Sequence, residues 1–267
     1  MTGTNRAGET RKGLIVQSRD RELLWQLFLM RIGTRDHLMP AAGFTSITRI
    51  NTRLLALYRA GLVRRFFIGF GAGRKALYAL SRKGAQLIGV PCRGPRHRQN
   101  ELLAADFTTL HQLTINDVYC DLRFRPIPIQ GVRFLNWMTF TEPIAIDLRL
   151  IPDGYVEFTT PQGIDASFLE VDLGTEELKV WKEKATQYVK LATSGGFARR
   201  FKQARFRVLV LADSARRLRF IREAVAEITP KIFWFAVLDD ARAERFFGPV
   251  WSRPTEIDHQ PLFEQPR

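Results

Sequence analysis

Apolar residues first recur at helical spacing. Leu23, Leu24, Leu27, Phe28 and Met30 form one stripe behind Ser18 or Asp20 as cap, and Gly33 stops it. Thr34 caps a short helix over Arg35–Met39, and Pro40 and Gly43 mark a turn. Thr45 opens a third helix whose Ile47, Ile50, Leu54, Leu57 and Tyr58 face a core until Gly61 ends it. Leu62–Ile68 and Ala76–Leu80 then read as strands joined by a glycine-rich, basic loop over 69–75. Helix, short helix, helix and basic hairpin is the order of a winged helix-turn-helix.

Residues 91–98, PCRGPRHR, interrupt the pattern and set the expected boundary. They part a domain over 18–90 from one over 99–248, with a flexible basic arm over 1–17 and a proline-containing tail over 249–267. In the second domain, Gln99–Tyr119 supports a helix that buries Leu102, Leu103, Phe107, Leu110 and Leu113. Strands are expected over Val132–Phe140, Ile144–Ile151, Tyr155–Thr159 and Phe168–Leu173. A helix over Thr175–Thr193, a strand over Arg205–Ala212, a helix from Ser214 to Glu227 and a strand over Lys231–Leu238 follow. Strand–helix–strand order implies parallel pairing beside an antiparallel hairpin. The expected fold class is therefore α+β / α/β, a winged helix-turn-helix followed by a mixed sheet flanked by helices.

Charge changes this picture most. The 267 residues carry a formal charge of +14, an excess that attracts polyanions, and double-stranded DNA is the expected partner. Ser46, Thr48, Arg49, Asn51, Thr52 and Arg53 lie on the polar side of the third helix, and Arg74 and Lys75 at the hairpin tip. These side chain types reach base edges and phosphates; the other reading is a solvated face on a module for dimerisation or protein contact. Gly69, Gly71 and Gly73 do not make a Walker loop, because Ala76 and a strand follow Lys75 in place of Ser or Thr and a helix. Two cysteines exclude a disulfide framework and fit a reducing cytoplasm, and the four histidines show no metal-ligand spacing. No apolar run is long enough to span a bilayer, so no membrane partner is expected, and the N-terminus reads as neither signal peptide nor anchor.

The candidate chemistry lies on Phe168–Leu173. Alternation puts Phe168, Glu170 and Asp172 on one face of a strand, and burying two carboxylates demands a cation. Asp153, after Pro152, supplies a third acid, and carboxylate oxygens of this kind can hold Mg²⁺ beside an assisting cation. Other readings stand beside this one: Ile-Pro-Asp-Gly-Tyr is also an ordinary turn sequence, and arginines can satisfy Glu170 and Asp172 in a structural network.

Pro152-Asp153 and Glu170-Val171-Asp172 resemble the paired acidic positions of PD-(D/E)xK nucleases, with Asp172 where those enzymes carry lysine. Lys184 and Tyr188, four residues apart, are similar to a helix motif of related nucleases, and the resemblance implies Asp153, Glu170 and Asp172 as Mg²⁺ ligands with Lys184 as the assisting cation. Together with the winged helix, His97-Arg98, Asn116-Asp117 and Leu169–Glu176, they resemble the replication-relaxation family over about residues 18–240. That resemblance implies a restriction-endonuclease-like second domain and a role in replication or DNA relaxation on plasmids or other mobile elements. A metal-dependent nicking endonuclease and a non-enzymatic DNA-binding regulator both fit it. In the second case the second domain serves a homodimer or docks a relaxase or replication initiator.

Overall fold

The computed structural model describes residues 14–70, 73–95, 100–103, 107–256 and 258–263. The chain divides into two compact units, Met1–Ala105 and Asp106–Arg267. Most of the basic arm, Gly71 at the hairpin tip, His97 and Asp106 lie outside the described residues.

The first unit runs α1 (Ser18–Met30), β1 (Gly33–Thr34), α2 (Arg35–Ala41), α3 (Ile47–Arg59), β2 (Val63–Phe70), β3 (Gly73–Leu80), α4 (Arg82–Ile88) and β4 (Leu102–Leu103). Gln17 caps α1 in a reciprocal box with Asp20, and Thr34 caps α2 through the His37 amide. Leu23, Leu24 and Leu27 of α1 and Ile50, Leu54 and Leu57 of α3 are fully buried and form the core. Ile47, expected in that stripe, is 53% exposed. It sits in the first turn of α3, beyond the reach of the core. β2 and β3 pair as an antiparallel hairpin, with β1 on the outer edge of β3. The free edge of β2 pairs in parallel with Leu102–Leu103, which the sequence placed in a helix from Gln99; the helix is described over Phe107–Phe124.

The second unit continues α5 (Phe107–Phe124), β5 (Arg133–Met138), β6 (Gly154–Thr160), β7 (Gly163–Asp172), α6 (Leu178–Thr193), α7 (Gly196–Phe201), β8 (Arg207–Ala212), α8 (Ala215–Ala226) and β9 (Phe233–Val237). The strands lie in chain order in one sheet, antiparallel from β5 to β7 and parallel from β7 to β9. Helix, antiparallel strands, helix and parallel strand is the element order expected of this unit. The sheet face carrying Tyr155 and Phe168 packs against Trp181 and Tyr188 of α6 and Phe197 and Phe201 of α7.

The strand expected over Ile144–Ile151 is a tight loop with a single bridge between Ala145 and Leu148. Its alternation is real, since Ile144, Leu148 and Leu150 are buried while Ile146 is fully exposed. Among the described residues no strand lies beside it; the Ile144 amide donates to the Leu150 carbonyl and the Leu148 amide to the Ala145 carbonyl, and side chains satisfy more of its backbone. Gln187 accepts from the Arg149 amide at 2.6 Å, Lys190 donates to the Asp147 carbonyl at 3.0 Å, and Arg200 donates to the Ile144 carbonyl.

Candidate active site and nucleic-acid face

β7 delivers Glu170 into the core of the second unit, where its side chain is 0% exposed. A bare buried carboxylate is costly, and α6 supplies both of its partners. Lys184 donates to Oε2 at 2.9 Å, and the Tyr188 hydroxyl, one helical turn further, donates to Oε1 at 2.5 Å. Burial pushes the Glu170 carboxyl up to about 7, against the downward pull of Lys184 and Tyr188. Lys184 also donates to Glu176 Oε1 at 2.9 Å and lies over the Trp181 ring at 4.9 Å. Burial works against its charge, but Glu170, Glu176 and Asp153 outweigh that effect and hold it cationic. The Lys184 and Glu170 shifts pull opposite ways on how fully the pair is ionised. With three carboxylates around one ammonium, the charge on Lys184 is the firmer of the two.

Asp153 sits at the foot of β6 beside this pair. Gly154, the first residue of β6, pairs with Leu169, so among the described residues the β6-side edge of β7 beyond Leu169 has no strand against it. Side chains cap that edge. The Val171 amide donates to Asp153 Oδ2 at 2.7 Å, and His111 Nε2 from α5 lies 2.8 Å from the Val171 carbonyl and 3.4 Å from Asp153 Oδ2. Burial opposes a charge on His111, yet Asp153 and the Val171 carbonyl raise its pKa to about 9, so the ring is an imidazolium at neutral pH. A Cβ at position 154 would meet the Trp137 ring at 2.7 Å, so glycine lets β5 close over the strand end that carries Asp153.

Asp172 shares the face of Glu170 but has a different set of partners. Arg217 of α8 grips it with two bonds of 2.8 Å, Trp181 Nε1 donates to Oδ2 at 2.9 Å, and the Gly174 amide donates to Oδ1 at 2.7 Å. Burial would raise its pKa, but these donors hold it below the usual carboxylate range. Four donors leave it no lone pair aimed at a metal. Among the described residues, no three His, Cys, Asp or Glu side chains come together as a metal-binding group. The structure therefore brings Asp153, Glu170 and Lys184 together and leaves Asp172 in a structural fork. It adds His111 and Glu176, whose Oε2 is buried without a hydrogen-bond partner. His111 left no signal in the sequence beyond being one of four histidines, and Glu176 stood there only as the end of the Leu169–Glu176 segment.

In the first unit, Thr48, Arg49, Asn51 and Thr52 are exposed along α3, and Arg74 and Lys75 are exposed on β3. Ser46 is half-buried and caps α3 by accepting from the Arg49 amide. Arg53 departs from the expectation. Its Nε donates to the fully buried Asp20 at 2.6 Å, its Nη2 bonds the other Asp20 oxygen, and that Nη2 also donates to the Ile15 carbonyl at 2.8 Å. Its guanidinium is an internal strut between α3 and α1.

The charge is unevenly shared. Residues 1–105 hold 19 of the 41 basic and 5 of the 27 acidic side chains, whereas residues 106–267 hold 22 of each. All of the +14 belongs to the first unit. Among the described residues, no helix is long and apolar enough to cross a membrane.

A family model described as replication-relaxation matches residues 26–204. A search of curated proteins finds no match. Among solved structures, the restriction endonuclease FokI aligns with 84% of this chain at 10% identity and a TM-score of 0.30. The chain spans 43% of the FokI chain, and an overlap this loose carries no argument.

Proposed function

The chain belongs to the replication-relaxation family, and from that premise we propose that it acts in replication by holding duplex DNA through its first unit. One observation carries the reading: the whole charge excess lies in the unit that exposes Thr48, Arg49, Asn51 and Thr52 on one helix and Arg74 and Lys75 on a hairpin. In this reading α3 is the recognition helix of a winged helix-turn-helix and the hairpin grips backbone phosphate. The DNA of a plasmid or other mobile element is the setting, with a relaxase or replication initiator as protein partner and a homodimer as the working state.

The second unit then acts on the DNA through Asp153, Glu170 and Lys184. Mg²⁺ fits the oxygen-only donors here in the mode that uses two carboxylates and completes its shell with water and phosphate. Asp153 and Glu170 would hold it, and it would supply charge stabilisation at a phosphodiester. Asp153 has one oxygen without a hydrogen bond among the described residues, and Glu176 Oε2 is a buried acceptor still unfilled. Lys184 keeps the two glutamates oriented and places an ammonium beside them.

A second reading, DNA binding without catalysis, is favoured by a specific observation. Both Glu170 oxygens and both Asp172 oxygens already have partners within the protein. The two readings part in a plasmid-nicking assay with Mg²⁺, run beside duplex binding in EDTA. Nicking by the wild type that disappears in the double variant D153N–E170Q, with binding kept, supports the enzyme. Nicking that survives removes these residues from the chemistry. Binding without nicking under any divalent metal leaves the regulator, and no duplex binding at all overturns both readings.

A further inference from the structure

A cavity of about 470 Å³ opens at the other end of the five-stranded sheet, around the β6–β7 hairpin and the start of β8. Arg205, Arg207, Gln130 and Gln162 line it, with Trp234 and Phe263 as an aromatic floor. Arg207 is fixed in place. It pairs with Asp165, donates to the Leu262 carbonyl at 2.5 Å, and lies over the Trp234 and Phe263 rings at 5.0 and 5.3 Å. Arg205 is exposed and, among the described residues, has neither an ion pair nor a hydrogen bond.

Two guanidiniums, of Arg205 and Arg207, thus share the cavity with one paired carboxylate, Asp165, a local cationic excess in a unit that is formally neutral. Guanidinium forks match phosphate oxygens in shape as well as charge. The glutamine amides at the rim supply donors and acceptors for a base edge. The volume falls within the roughly 300–1,000 Å³ of small-ligand sites.

We propose that this cavity binds a nucleotide through its phosphate, with Arg205 as the phosphate contact. The inference does not rest on the Asp153–Glu170 reading. The nucleotide is either free or the 5′-phosphorylated end of a DNA strand, and both present the same phosphate and base. Calorimetric titration of the full chain with deoxyadenosine 5′-monophosphate, and with deoxyadenosine as control, tests it. The monophosphate is expected to bind and the nucleoside to bind at least about tenfold more weakly, as a lost charge-assisted contact implies. Arg205→Glu removes monophosphate binding while Arg205→Lys keeps part of it, and the urea midpoint and duplex binding stay at wild-type values. Competition by a short 5′-phosphorylated single strand, absent for its unphosphorylated twin, assigns the site to strand ends; no competition assigns it to the free nucleotide. No monophosphate binding by the wild type, equal binding of the nucleoside, or unchanged binding by Arg205→Glu overturns the proposal.

Discussion

Replacing Asp172 by asparagine separates a structural acid from a metal ligand by the sign of its effect on stability. The side chain is 0% exposed and receives two donors on each oxygen. Asparagine keeps the volume but turns one oxygen into an NH₂ group, and either orientation sets that group against two donors. Two spoiled buried hydrogen bonds at about 1–3 kcal/mol each, with the lost charge, come to about 3–5 kcal/mol. Against a urea m-value of roughly 2 kcal/mol per molar, the midpoint falls by about 2 M. The assay is urea unfolding of the full chain in EDTA, following the second unit, with Arg217→Ala and the double variant completing a cycle. A coupling energy of about 2 kcal/mol or more is expected between Asp172 and Arg217. The effect also depends on pH. Asp172 is held below its usual 3.8, so its contribution is complete above that value and is lost as the pH falls through the lower folded-state pKa. The gap between wild type and variant therefore closes in acid. A metal ligand behaves oppositely, because removing its charge from a metal-free cluster relieves repulsion. A variant as stable as the wild type in EDTA, or more so, refutes the structural reading.

Three further perturbations follow from the same geometry. Arg53→Ala strands the buried Asp20 and lowers the stability of the first unit by about 3 kcal/mol in thermal or urea unfolding, whereas the exposed Arg49→Ala leaves stability within about 0.5 kcal/mol. Lys184→Met leaves Glu170 with Tyr188 alone. An acid whose folded pKa lies above its usual 4.5 costs stability as the pH rises through that range, and losing Lys184 extends the range upward. In EDTA, the deficit of Lys184→Met should therefore widen from pH 6 to pH 8, and a constant deficit counts against the pair. Gly154→Ala pushes a methyl into the Trp137 ring, and urea unfolding should show a loss of about 1–3 kcal/mol.

Local patterning made the frame of this protein legible. The stripes of α1, α3 and α6, the hairpin of β2 and β3, and the alternation that put Glu170 and Asp172 on one face all follow from spacing and caps. Lys184 and Tyr188, four residues apart, were likewise readable as one helix face. The failures share a physical cause, a partner distant in sequence. Asp20 holds Arg53 from 33 residues away and Arg217 holds Asp172 from 45, so an arginine expected on DNA and an acid expected on a metal each have a partner within the protein. His111 reaches Val171 across 60 residues to cap a strand edge that no local pattern announces. Ile144–Leu150 alternates like a strand, but alternation cannot show whether a neighbour will pair with it.

Duplex binding by the first unit is tested most directly by its salt dependence. Each phosphate contact adds about one to the slope of log affinity against log salt. Fluorescence anisotropy of a labelled duplex should give a steep slope for the full chain. The triple variant R49A–R74A–K75A should lower that slope by about 3, with unfolding unchanged. A slope near zero, or a triple variant that binds as the wild type does, contradicts the account.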